Sequence, residues 1–140
     1  MKENLIVNEE EEIYRENILD HYKNPHNYGS LDHCTFTHSQ NNPICGDNIA
    51  MFVNLENDKV KEIKFSGTGC AISIASASLL TEKVYGMSKN EIKKLTKEDI
   101  QKMIGVPLSV VRMKCALLSL TVLSKGLEEW ENKNHEKSQS

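Results

Sequence analysis

Apolar positions change their period along the chain, and each change predicts an element. Ile13, Tyr14, Ile18 and Tyr22, with Leu19 beside them, recur near helical spacing from Glu10 to Tyr22, and this helix should stop at Asn24-Pro25. Asn24 to Leu31 reads as a turn-rich loop, and Cys34 to His38 as a short strand. Ile49, Met51, Val53 and Leu55 then alternate with Ala50, Phe52, Asn54 and Glu56. After a turn at Asn57-Asp58, Val60, Ile63 and Phe65 are set among Lys61, Glu62 and Lys64. A period of two predicts an antiparallel hairpin with one face on the core.

The rest of the chain reads as helices. Ala71 to Tyr85 mixes Ala and Ser with Ile72, Ile74, Leu79, Leu80 and Val84, which suggests a buried helix closely approached by its neighbours and stopped at Gly86. Ser88 can cap a short helix through Leu95, with Glu91 completing a capping box, and Thr96 can cap another through Met103. Gly105 and Pro107 break that pattern. A last helix should run from near Cys115 to about Asn132, with Ala116, Leu120, Leu123, Leu127 and Trp130 along one stripe. One domain over 1–140 is expected, with residues 1–9 and 133–140 disordered.

Charge and cysteine content narrow the function. A net charge of −3 leaves no basic excess to displace counterions from a phosphate backbone, so no nucleic acid is expected as a partner. Charged residues interrupt every apolar run, so no membrane span is expected either. The start of the chain, with Glu3 and Glu9 to Glu12, lacks the basic and apolar regions of a secretory signal, and a transit peptide avoids acids. A cytoplasmic location is therefore expected, or else the mature form of an imported protein. In such a reducing compartment the four cysteines read as thiols or metal ligands before disulfides.

Three of those cysteines stand in chemical contexts. In Asn42-Pro43-Ile44-Cys45-Gly46-Asp47, a thiol and a carboxylate two residues apart share one turn, where Gly46 can take positive φ. Cys70 follows Gly67-Thr68-Gly69 where a helix is expected to begin, so unpaired N–H groups and the helix dipole would favour its thiolate. Cys115, after Lys114, is expected to be placed alike. Together Cys45, Asp47, Cys70 and Cys115 offer three thiolates and one carboxylate to a soft transition metal or an iron–sulfur cluster. Other roles exist for each: Cys70 and Cys115 as small buried hydrophobes, and Asp47 as a turn residue. Cys34 has no turn or helix-start context and reads as incidental. His21, His26, His33 and His38 read as solvated rather than ligating. Separations of 25 and 45 positions (45 to 70, 70 to 115) are unlike the close Cys pairs of a structural zinc domain. No motif places a histidine against Cys70, as a Cys-nucleophile hydrolase would need.

Pro43-Ile44-Cys45-Gly46-Asp47, Gly67-Thr68-Gly69-Cys70 with Ala71 to Ser78 after it, and Lys114-Cys115-Ala116 resemble, in order, three motifs of the NifU N-terminal domain family, which contains the IscU and SufU proteins. Asn24-Pro25-His26-Asn27-Tyr28-Gly29 resembles its Asn-Pro-x-Asn-x-Gly signature, and the likeness runs from about Ile13 to Trp130. The resemblance implies an α+β fold, a small three-stranded antiparallel sheet packed against about five helices, with the cysteines at one exposed end. It implies an iron–sulfur assembly scaffold more than an enzyme. A cysteine desulfurase would deliver sulfur, an iron donor the iron, and a transient [2Fe–2S] cluster on Cys45, Asp47, Cys70 and Cys115 would pass to acceptor apoproteins. Cys70 and Cys115 would be the persulfide acceptors. Two features differ from IscU. Lys114 stands where IscU has His, and a protonated Lys cannot coordinate metal. The chaperone-recognition segment Leu-Pro-Pro-Val-Lys is here Leu108-Ser109-Val110-Val111-Arg112, without its prolines. Lys114 and the wording of the second motif look like SufU, whose members hold Zn2+ on the same four groups and accept persulfide sulfur. The spacing from Cys70 to Cys115, however, is close to that of insertion-free IscU. The alternative is thus a zinc-dependent sulfurtransferase.

Overall fold

A computed structural model describes residues 9–43 and 46–139, with side chains for 10–43 and 46–134. Their order is α1 (Glu9–Lys23), β1 (Phe36–Asn42), β2 (Asp47–Glu56), β3 (Lys59–Thr68), α2 (Ala71–Val84), α3 (Lys89–Lys93), α4 (Lys97–Ile104) and α5 (Val110–Gln139). The fold is α+β, as expected: three antiparallel strands in the order β1-β2-β3, packed on one side by α2 and α5. Packed against α2 is α1, while α3 and α4 fill the space beside α5.

The hairpin follows from its alternation. Ile49, Met51 and Val53 of β2 and Val60, Ile63 and Phe65 of β3 are all buried. Asn57 and Asp58 close the turn with φ of 55° and 63°, the left-handed pair that a two-residue hairpin needs. Phe65 is fully buried, and its replacement by Ala would cost about 3–5 kcal/mol. The expected capping box of Ser88 with Glu91 is present, and Thr96, expected as a cap, also forms a box, with Asp99. The small side chains of α2 leave Ala75, Ala77, Ser76 and Ser78 without exposure between the sheet and α1.

Four expectations need correction. First, β1 is longer and later than Cys34 to His38, because Gln40, Asn41 and Asn42 pair with Ile49, Asn48 and Asp47 despite their polarity. Second, the inner face of α1 is Tyr14, Ile18 and His21, not the stripe with Ile13, Leu19 and Tyr22, which are exposed. A buried histidine stands where the period called for an apolar residue. Third, α5 begins at Val110, not near Cys115: Ser109, after Pro107, accepts the N–H of Arg112 at 3.2 Å and caps it. Fourth, α5 runs past its expected end near Asn132 to Gln139, since 131–139 contain neither Gly nor Pro to stop it. The expectation for residues 1–8 lies outside the described residues.

Candidate metal centre

Sheet register builds the first part of the centre. The inward face of β2 that carries Ile49, Met51 and Val53 begins at Asp47, so the alternation that fills the core also turns this carboxylate inward. Asp47 is 1% exposed. Asn42 pairs with Asp47 across the β1–β2 hairpin, and Gly46, at φ +72°, donates its N–H to the Asn42 carbonyl at 2.8 Å. On the other side Asn48 pairs with Thr68, which sets the end of β3 beside Asp47. A one-residue slip would turn the carboxylate out to solvent.

From Thr68 the chain needs only Gly69 to reach Cys70, the N-cap of α2. The Cys70 N–H donates to Asp47 Oδ1 at 3.0 Å. Gly69 is required by this close approach: a Cβ there would lie 2.6 Å from Asp47 Oδ1 and nearer still to the Ser73 hydroxyl. Among the described residues Asp47 Oδ2 is buried without a hydrogen-bond partner. An unpartnered buried carboxylate oxygen is costly, and a cation is the group that would relieve it.

The third residue comes from α5. Cys115 lies five residues inside the helix, not at its N-terminus as expected, and shares its buried face with Leu118, Ser119 and Val122 at helical spacing. The helix starts early enough to enclose this thiol, which is 1% exposed. Oxygen and sulfur of Asp47, Cys70 and Cys115 all lie within 4.8 Å of one another. Burial acts to raise the pKa of the Cys70 thiol, as does the neighbouring Asp47 charge. Hydrogen bonds from the Ser73 N–H and hydroxyl and from the Cys115 thiol outweigh both and hold Cys70 below its ordinary value. Ser73 was not singled out from the sequence, although a serine three residues past a helix-start cysteine is the signal for it.

Cys45 lies outside the described residues. Cys34 is half-buried and has no place among these converging ligand atoms. The exposed Lys114 lines an open groove of about 300 Å³ with Asn42, Pro43 and Thr121. A cluster of two soft sulfurs and one hard oxygen, with a further thiol two residues from that oxygen in sequence, fits zinc or iron better than calcium or magnesium. Among the described residues no helix is long and apolar enough to cross a membrane.

Comparison with known proteins agrees with this chemistry. Residues 13–137 match the family of NifU-like N terminal domains. The chain is 37% identical to the zinc-dependent sulfurtransferase SufU of Bacillus subtilis, over 87% of this chain and 94% of that one. It is 34% identical to the iron–sulfur cluster assembly scaffold protein IscU of Streptococcus pyogenes, over 88% and 87%. Its fold is similar to that of a candidate iron–sulfur cluster assembly scaffold of the SUF system from Fervidobacterium islandicum. The TM-score is 0.71, at 27% identity, over 80% of this chain and 94% of that one.

Proposed function

The chain belongs to the family of NifU-like N-terminal domains, and from that premise we propose that it is an iron–sulfur cluster assembly scaffold. The observation that carries the reading is the convergence of Asp47, Cys70 and Cys115 within 4.8 Å, with one Asp47 oxygen buried and unpartnered. Cys45 completes the ligand set. It stands two residues before Asp47 in the sequence.

The cluster is cargo. Iron and sulfide enter as substrates, are held on the thiolates of Cys45, Cys70 and Cys115 with Asp47 as fourth ligand, and leave as a [2Fe–2S] unit for an acceptor apoprotein. Sulfur arrives from a cysteine desulfurase. The Cys70 or Cys115 thiolate attacks the outer sulfur of the donor's persulfide, a new S–S bond forms, the old one breaks, and the donor departs as a thiolate with no net oxidation. Reduction of that sulfur to sulfide draws on an external electron donor. Hydrogen bonds from Ser73 and Cys115 favour the anionic nucleophile at Cys70. Cys115, with 1% exposure, must be uncovered by its partner before it can react. A carboxylate among thiolates is a weak ligand that suits a cluster meant to leave. A cytoplasmic setting keeps such thiols reduced.

Lys114 and the similarity to a zinc-dependent sulfurtransferase favour a second reading. There Zn2+ is held by the same four residues, and a displaced thiolate takes the persulfide sulfur without cluster assembly. Iron, zinc and acid-labile sulfide in the protein isolated anaerobically from its own cells separate the two. Equal iron and sulfide with little zinc is expected; stoichiometric zinc without sulfide would overturn the scaffold reading in favour of sulfur transfer. Cys45→Ala should abolish function with the other ligand changes, whereas Cys34→Ala should be mild. A folded but inactive Cys34→Ala chain would overturn the ligand assignment.

A further inference from the structure

The loop Asn24 to Gly29 does more than connect α1 to the sheet. The N–H of His26 donates to Ser78 Oγ at 2.8 Å, and Asn27 Nδ2 donates to Thr81 Oγ1 at 3.1 Å. Phe65 donates its N–H to the Asn27 carbonyl, and Gly29 donates to the Phe65 carbonyl. Four hydrogen bonds thus pin the loop between α2 and β3, with the His26 ring beside His21 of α1, centroids 4.5 Å apart. Both rings face Glu82 of α2: the Nδ1 of His26 pairs with Glu82 Oε1, and the Nε2 of His21 lies 3.7 Å from the same oxygen. All three ligand atoms fall within 4.8 Å of one another.

We propose that His21, His26 and Glu82 form a second metal site, for a borderline divalent first-row cation such as Zn2+ or Fe2+. The His21–Glu82 spacing fits the ion: ligands about 2.05 Å from a tetrahedral centre stand about 3.4 Å apart, near that separation, which is too long for a hydrogen bond. The closer His26–Glu82 pair would have to part to admit the ion. The orientation fits as well. Ser78 Oγ sits 2.7 Å from His21 Nδ1, so that an Nδ1–H donated to it leaves the Nε2 lone pair aimed at Glu82 and His26. Metal-binding imidazoles are commonly fixed in this way by a partner on the far nitrogen. His21 is 6% exposed at its side chain, whereas His26 and Glu82, at 48% and 45%, leave the outer positions open to solvent or a fourth ligand. Two neutral imidazoles and a carboxylate are donors of the kind that zinc and ferrous iron accept.

The site is separate from the cysteines. Glu82 is twelve positions along α2 from Cys70, about 18 Å at 1.5 Å per residue, and it shares no ligand with the first centre. The inference therefore does not rest on the scaffold reading.

Co2+ titration of the metal-free full chain tests it, followed by optical absorption and by the imidazole proton resonances. Two classes of Co2+ are expected: one with thiolate charge-transfer absorption, and one without it that shifts the His21 and His26 resonances. In His26→Ala and Glu82→Gln the second class should weaken at least about tenfold while the first keeps its affinity. Unchanged binding in both variants, or unshifted His21 and His26 resonances, would show that the three residues form an ion-pair and hydrogen-bond cluster only. Circular dichroism checks folding. If His26→Ala does not fold, Glu82→Gln, which keeps the shape of the side chain, decides the matter.

Discussion

The two ends of α2 hold trios of similar compactness and opposite chemistry. At its N-terminus Asp47, Cys70 and Cys115 present sulfur and a buried carboxylate with one oxygen unpartnered. Three turns on, His21, His26 and Glu82 present nitrogen and a half-exposed carboxylate that already pairs with His26. The first trio leaves a carboxylate oxygen with no partner among the described residues, whereas in the second Glu82 already pairs with His26. Metal binding at the first should therefore be strong and essential. At the second it should be weaker and in competition with protons, because an imidazolium must lose its proton to become a ligand.

Removing a thiolate should part the two most widely. Cys70→Ala or Cys115→Ala is expected to eliminate iron and acid-labile sulfide from the isolated protein, while the thiolate-free Co2+ class persists. Iron and sulfide at the level of the unmodified chain in Cys70→Ala would remove that residue from the site. A subtler break comes from Gly69→Ala. The added methyl would meet Asp47 Oδ1 at 2.6 Å and press on Ser73, so overpacking should cost about 1–3 kcal/mol in urea unfolding. It should also weaken metal at the cysteines while His21, His26 and Glu82 titrate as before. Equal loss at both trios would mean that the two ends of α2 are coupled.

These regions also differ in how plainly the sequence announces them. Asp47 and Cys70 sit in short glycine-rich contexts, so they could be singled out from neighbours one to three residues away, whereas Cys115 has no glycine beside it and the helix expected to start there begins five residues earlier. The hairpin was legible for the same reason: its alternation is local. Asp47 continues that alternation backward from Ile49, a carboxylate in core register, which is a sequence sign of an inward ligand. His21, by contrast, interrupts the apolar stripe of α1. Its meaning depends on Ser78 and Glu82, 57 and 61 positions away (21 to 78, 21 to 82), a relation fixed by packing. The early start of α5 was hidden by Pro107, which reads as a helix breaker although the cap comes two residues later.

Ser78→Ala sharpens the comparison from the other side. Ser78 is fully buried and meets both the His26 N–H and the ring of His21, so its loss leaves two polar groups without a partner. A cost of about 1–3 kcal/mol in unfolding is expected. Affinity at the histidines should fall about tenfold, with the cysteine class unaltered. An unaltered histidine class would show that Ser78 does not orient the imidazole.

The smallest effect is a matter of pH and separates the trios by window. Burial first, and then the neighbouring His26, lowers the pKa of His21 below 6.5, against the opposing charges of Glu82 and Asp20. Cys70 is lowered from 9.0, despite burial and Asp47, by its hydrogen bonds with Ser73 and Cys115. Both shifts are downward, so in each case the unfolded chain binds the proton more tightly than the folded one, and stability rises with pH until the unfolded group has titrated. For His21 that rise ends near 6.5, and the contribution is lost as pH falls through the lower folded value. For Cys70 it ends near 9.0, and is lost likewise as pH falls through its own folded value. Urea midpoints of the metal-free chain, measured across pH, should show both rises. The profile of His21→Gln should lack only the acid one, and that of Cys70→Ala only the alkaline one. If His21→Gln left the acid slope in place, the buried imidazole would not be its source, and the proton competition expected at the second trio would lose its basis.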